Sequence, residues 1–461
     1  MYIQLLADSE VHFPSPEELS VKNHTKIFKT EKADPALKHL MTMLQKGSFE
    51  SDLQNQWLDR SSNLPRFFYL LETLRKESFL SFTLYDEDGP LGSFIPHKNC
   101  QIETKHSELS EDFLQNSTFQ LSRFAFIRRK DKFLICESPL SKMFIQILEN
   151  RFLDILLALS EPTKVQQLQK KLPTVSKECL IKALQFLYQS SFLASDDEKL
   201  PTWDFQDALF HTRSRRGRHS DPTATMFRFL DTIPPLPPIK KFPNAKDSDW
   251  IPLAKPDIDL LMQKDLPFSY VLETRRSIRT QGQTFISLEQ LGEFLYRVAR
   301  IKGVKEANHY EATRRPYPGG GACYELEIYP LIHQCSGISS GLYYYHPKNH
   351  SLLLLTKESQ HTNKILYAAS ASINSKEPSQ ILFLIAARFG RMNWKYQSMA
   401  YATIMKDTGV LMQTMYLVAT AMGLAPCSVG NGDSDLFSKI TKIPYFEETT
   451  VGEFILGSKT T

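Results

Sequence analysis

No GxGxxG fingerprint and no GxxxxGK[ST] loop occurs anywhere in the 461 residues. Their absence argues against a Rossmann dinucleotide site and a nucleotide-phosphate loop, and so against a dedicated nicotinamide-binding domain. Cysteine is scarce. The six, Cys100, Cys136, Cys179, Cys323, Cys335 and Cys427, form no CxxC pair and have no histidines at zinc-ligand spacing around them. No metal site is expected, and the thiols read as free cysteines of a reducing cytosol. An excess of one charge is lacking too. The 55 basic and 51 acidic residues leave only +4, too little to argue for nucleic acid or a membrane surface. No run reaches the roughly 20 apolar residues of a membrane span. The longest uncharged stretch, Thr408–Gly432, is broken by Gln413, Asn431 and a Pro–Cys pair, and reads as a buried helix plus a loop. Met1–Phe13 carries acids and no basic region before an apolar run, so it is not a signal peptide. The expected location is cytoplasmic.

What is present is ordinary globular composition, 42% hydrophobic and 23% charged, with length for about three domains. The run Thr232–Pro243 holds five prolines in its first seven positions and at its end. It cannot form a helix or a central strand, and it reads as a semi-rigid spacer. Upstream, Phe49–Leu80 and Lys164–Leu193 share one pattern. Each has a short helix, a turn, a longer amphipathic helix and a strand-like end. Phe119–Phe126 and Lys132–Cys136 look like a strand pair. These features describe two winged-helix-like modules, at 1–100 and 101–205. Such a fold often binds DNA, but the helix at Cys179–Leu187 offers only Lys182 and Gln185 as polar contacts, so nucleic acid is not expected. A peptide pairing with a strand edge is the alternative, and a purely structural module is another. Arg213–His219 is preferred as part of a solvated linker over 206–249.

Residues 250–461 alternate helices and strands. Ser287–Arg300 is an amphipathic helix with Ser287 as N-cap. Glu325–Gln334 is a strand, and Leu342–Tyr345 with Leu352–Leu355 is a hairpin. Ile381–Arg388 is a central strand. Tyr396–Met422 is mostly helix, and Glu453–Leu456 is a short last strand. The order predicts an α+β fold.

Three signals carry chemistry. Arg275, Arg276 and Arg279 surround Ser277, and guanidinium groups grip phosphate bidentately. Pro318-Gly319-Gly320-Gly321 lets backbone N–H groups approach a flat ligand. Lys395–Tyr396 offers an acid/base group. Lys459 is a further phosphate candidate. Each has a bland reading: a solvated basic helix end, an ordinary turn, a structural pair and a frayed tail.

Their order, followed by Gly423-Leu424-Ala425-Pro426-Cys427, resembles the flavin-dependent dehydrogenases of azole-containing peptide biosynthesis, of the SagB type within the nitroreductase superfamily. The resemblance covers roughly 206–461. The doubled N-terminal region resembles that of the cyanobactin oxidases. It implies an FMN-binding domain over 250–461, with a central mixed sheet flanked by helices, and peptide-clamp modules before it. It implies FMN as cofactor and an intertwined homodimer. The implied substrate is an azoline-containing precursor peptide, with a cyclodehydratase as a further partner. The implied reaction is oxidation of thiazolines or oxazolines to thiazoles or oxazoles. Arg275, Arg276, Ser277 and Arg279 match its phosphate motif, Pro318–Gly321 its flavin loop, and Lys395 and Tyr396 its catalytic pair. Where the family often carries arginines after that pair, this chain has Met399 and Ala402. Two other readings stay open: an NAD(P)H-dependent nitro- or quinone reductase, and a peptide-binding scaffold without catalysis.

Overall fold

The computed structural model describes residues 1–23, 26–97, 100–102, 110–194 and 200–460. The chain divides into two compact units, Met1–Asp221 and Pro222–Thr461, so the break falls inside the expected linker.

The first unit runs β1 (Tyr2–Leu5), β2 (Glu10–His12), β3 (Leu19–Asn23), β4 (Lys26–Thr30), α1 (Pro35–Lys46), β5 (Ser48–Phe49), α2 (Glu50–Leu58), α3 (Leu64–Lys76), β6 (Leu80–Asp86) and β7 (Gly89–Pro96). It continues with α4 (Glu111–Asn116), β8 (Phe126–Lys130), β9 (Phe133–Glu137), β10 (Met143–Ile147), α5 (Asn150–Ala158), α6 (Val165–Lys171), α7 (Lys177–Gln189) and α8 (Phe205–Arg213). Both copies of the helix pattern are present, as α2–α3 and α6–α7. They share one seven-stranded sheet, β5-β1-β6-β7-β10-β9-β8, and one apolar core reaching from Ile3 to Leu193. The joins expected near residues 100 and 205 flank segments 103–109 and 195–199, which lie outside the described residues. Of the stretch read as a strand at 119–126, only Phe126 enters one; Phe119 and Leu121 make isolated bridges.

Within Arg213–His219, Arg215, Arg216 and Arg218 are exposed as the linker reading expects, but Arg213 and His219 are tied into the first unit. Arg213 binds the buried Glu137 carboxylate at 2.7 Å, Arg218 donates to the Leu140 carbonyl at 2.9 Å, and His219 is fully buried. Removing charges from water is costly unless they pair, and Glu137, also held by Arg128 at 2.5 Å, provides that partner.

The second unit runs β11 (Trp250–Pro252), α9 (Ile258–Lys264), α10 (Phe268–Thr274), α11 (Leu288–Ala299), β12 (Gly303–Ala307), β13 (Tyr310–Arg314), β14 (Leu326–Ile332), β15 (Gly341–His346) and β16 (Ser351–Lys357). Then come α12 (Gln360–Ser372), β17 (Ile381–Arg388), α13 (Phe389–Asn393), α14 (Ala400–Ala421), β18 (Leu424–Val429), α15 (Ser434–Thr441) and β19 (Glu448–Ser458). The helix α11 starts where a capping box sits, Ser287 with Gln290, and buries Leu291, Phe294, Leu295 and Val298 at helical spacing. The sheet order is β11-β16-β15-β14-β17-β19-β18, with β17 buried along its whole length. The expected sheet flanked by helices is there. Its pairings are all antiparallel rather than mixed. The reason is local: β14, β15 and β16 meander, and α12 then brings the chain back so that β17 runs against β14. The uncharged stretch is helix and then strand, not helix and loop. Gly423, at φ +68°, ends α14, and Leu424–Val429 pairs with β19. The last strand is longer than expected, Glu448–Ser458.

Candidate active site

The segment that carries the expected anion-binding residues is held against the ends of β18 and β19. The helix α10 stops at Thr274, and the Arg275–Arg279 segment is pinned by Ile278 N–H donating to the Pro426 carbonyl on β18, at 2.8 Å. Three residues on, Gly282 N–H donates to Ser458 at the end of β19, at 2.9 Å. Lys459 is the next residue, so it stands beside the same segment. Ser277 Oγ meets Tyr416 Oη of α14 at 2.8 Å, and Tyr416 accepts from the Ser428 N–H at 2.7 Å. The Arg275 guanidinium lies 5.3 Å from the centre of the Tyr416 ring. Arg276, Arg279 and Lys459 are exposed. The sequence reading missed Tyr416 and Ser428. Ser428 follows directly on the quoted Gly423–Cys427 segment, and Tyr416 lay within the stretch read only as buried helix.

The glycine loop and the Lys–Tyr pair also meet. Gly321 has φ +57°, and a Cβ there would overlap Tyr396 Oη and Lys395 Nζ. Ala322 (φ +55°) and, after a right-handed Cys323, Tyr324 (φ +46°) are also left-handed, a strained conformation of the kind that gathers at functional sites. Lys395 donates to the Gly321 carbonyl at 3.0 Å and to Tyr310 Oη at 2.6 Å. Burial opposes the Lys395 charge, but the Tyr310 hydrogen bond and nearby Cys323 and tyrosines outweigh it, and the amine is raised above its ordinary value. Lys395 is therefore an ammonium at neutral pH, not a lysine of lowered pKa. Burial pushes Cys323 up to about 11, so it stays a thiol.

Beneath the loop, Asp407 of α14 accepts the Gly320 N–H at 2.7 Å. Glu325 is fully buried beside it. Burial first and the Asp407 charge second push Glu325 up to about 8. Pro318 is exposed at the loop's start. Asp407 touches the loop and Tyr416 the arginine segment. They are about two and a half turns apart on one helix, roughly 14 Å.

The proline run is not a free spacer within its own unit. Met226 N–H donates to the Lys395 carbonyl at 2.9 Å, and Trp394 Nε1 donates to Ile233 at 2.6 Å. Arg391 binds the Leu236 carbonyl, Arg388 donates to Pro237 at 2.9 Å, and Lys240 reaches Glu448 at 2.6 Å. Among the described residues no group of three His, Cys, Asp or Glu could hold a metal, and no helix is long and apolar enough to cross a membrane.

Residues 272–458 match the nitroreductase family model, and residues 119–220 match the model of the cyanobactin oxidase ThcOx. The chain carries a nitroreductase domain and a cyanobactin-oxidase domain. An archaeal relative, the nitroreductase-like protein MJ1384 of Methanocaldococcus jannaschii, is 28% identical over 195 residues, 42% of this chain and 91% of that protein. A nitroreductase-like structure from Ralstonia eutropha JMP134 is similar over 50% of this chain and all of that one, at 19% identity and TM-score 0.37. A chain of the E. coli microcin synthetase McbBCD complex, solved with truncated pro-MccB17 bound, is similar over 55% of this chain and 91% of that one, at 16% identity and TM-score 0.35. The nitroreductase match contains every residue singled out for the site except Lys459, and nitroreductase-family members are flavoproteins.

Proposed function

We propose that the chain is an FMN-dependent dehydrogenase that oxidises thiazolines or oxazolines to thiazoles or oxazoles in a ribosomally made peptide. The observation that carries this reading is the packing of Lys395 and Tyr396 onto the Gly321 backbone, in a chain that also holds a cyanobactin-oxidase domain. The residues fit FMN. A Cβ on Gly320 or Gly321 would overlap Thr403, Tyr396 and Lys395, so the absence of side chains lets the loop lie directly on the pair. Arg275, Arg276, Ser277, Arg279 and Lys459 suit a phosphate.

When bound, FMN supplies the hydride acceptor. The chain's own residues do the rest. Tyr396 Oη, acting as the phenolate, takes the proton from the azoline carbon and becomes the neutral phenol. The adjacent Lys395 ammonium balances the phenolate's charge before the proton moves. The Lys395 carbonyl, held by Met226, and the Trp394 indole, held by Ile233, fix the pair's backbone. One proton and one hydride leave the ring, and a second double bond completes the aromatic azole.

Homodimerisation belongs to the same reading. Met262 (72% exposed), Phe268 (68%) and Tyr270 (55%) leave an apolar face on α9–α10, directly before the arginines. The peptide is assigned to the first unit's modules, with a cyclodehydratase acting upstream.

The test is substitution. Lys395→Ala and Tyr396→Phe should each lower turnover by a hundredfold or more, on the order expected for acid–base catalysis, while the proteins stay yellow. Colourless variants would make the pair part of the cofactor cradle instead. Rapid reduction by NADPH with no turnover of an azoline peptide would favour a nitro- or quinone reductase.

A further inference from the structure

The hairpin β12–β13 turns at His309, whose φ is +72°. Tyr310 follows as the first residue of β13. Phe227 packs edge-on against His309 at 5.2 Å and against Trp394 at 5.4 Å, and lies 6.3 Å from Tyr310. The hairpin tip is thereby seated on the residue next to Lys395. At that position Tyr310 Oη donates to the Gly321 carbonyl at 2.5 Å and accepts from Lys395 Nζ at 2.6 Å. Its ring centre is 4.6 Å from the ammonium, against 5.4 Å for the Tyr396 ring. No hydrogen bond joins Lys395 to Tyr396 among those described.

We infer that Tyr310 is a positioning residue of the active site: its hydroxyl, bridging Lys395 and the Gly321 carbonyl, holds the ammonium against the glycine loop and leaves Tyr396 free of it. A lysine ammonium has three N–H groups. Two are spent on Tyr310 and Gly321, so the third is aimed by their geometry. The groups facing the ammonium are Tyr310 from β13, Cys323 after the loop and the neighbouring Tyr396. Arg391 stands behind Cys323, donating to its carbonyl at 2.6 Å. From the segment before the proline run, the Met226 and Phe227 N–H groups both donate to the Lys395 carbonyl. Of the hydrogen bonds and charges that raise Lys395 against its burial, the Tyr310 hydrogen bond is the largest. Deleting the hydroxyl therefore lowers the amine's titration.

What Lys395 is for rests on the proposed function; its contact with Tyr310 does not. The experiment keeps the two apart. The native chain and Tyr310→Phe are labelled with [15Nζ]lysine, and the Lys395 signal is assigned by its loss in Lys395→Arg. Its titration is followed by NMR, a readout that needs no turnover. The midpoint is expected at lower pH in Tyr310→Phe, with an unchanged melting temperature. Where the azoline activity is present, kcat falls by about tenfold, the size expected for one hydrogen bond to a charged group. KM stays within about twofold, the pattern of a loss specific to the transition state. The alkaline limb of the pH profile moves with the amine. In a Lys395→Met background, Tyr310→Phe adds little further loss. An unmoved Lys395 titration, or independent multiplicative losses in the double variant, would overturn the assignment. Absent flavin or absent azoline turnover, with the titration shifted as expected, would sink only the proposed function.

Discussion

Gly321 shows how much rests on one hydrogen atom. Its left-handed backbone and its contact with Tyr396 and Lys395 both exclude a Cβ. Gly321→Ala should cost about 1 kcal/mol in backbone strain alone, and more from the overlap, with turnover lost before folding is; thermal melts beside flavin absorbance check this. Glu325 makes a second residue-scale prediction. Its folded-state pKa is raised from 4.5 to about 8, so the folded chain binds that proton more tightly than the unfolded one. The stabilisation is fully present below about 4.5 and is lost as pH rises through about 8. Glu325→Gln should flatten that decline in melting temperature across the window; an unchanged slope would place the pH dependence elsewhere. At this scale the sequence showed the residues that are adjacent in the chain: Lys395 with Tyr396, the glycine run, the arginines around Ser277. It did not show Tyr310, Asp407 or Tyr416, because each reaches its partner from a distant element and leaves no local spacing to read.

Among elements, α11 and β17 were readable because a cap, a helical period and a continuous apolar run are local signals. The strand β18 was not, since a six-residue apolar segment after a helix has no period that separates strand from loop. The proline run was correctly denied helix and sheet, but its prolines leave carbonyls free to accept, and Arg391, Arg388 and Trp394 use them. That anchoring converts an expected spacer into a strap over the Lys395 backbone. Arg391 is 5% exposed and serves the carbonyls of Leu236, Cys323 and Glu311. Arg391→Ala should destabilise the second unit by about 3 kcal/mol, the cost of stranding buried acceptors, and should speed amide exchange of Met226 and Phe227. Unchanged exchange there would detach the strap from the site.

For the molecule as a whole, composition bounded the class, and the helix repeat was visible. What the pattern could not show is that both copies sit on one continuous sheet over one core, because strand pairing is a long-range choice. The apolar α9–α10 face carries the prediction at this scale. Met262→Glu with Phe268→Glu should yield a monomer by light scattering that has lost its flavin; a variant still dimeric would move the interface elsewhere. The central claim is most directly tested by mixing the purified chain, without oxygen, with an azoline-bearing peptide or with NADPH, and following the visible flavin band. A yellow protein bleached by the peptide and not by NADPH is the predicted result. A colourless protein, or one bleached by NADPH and indifferent to the peptide, would contradict it.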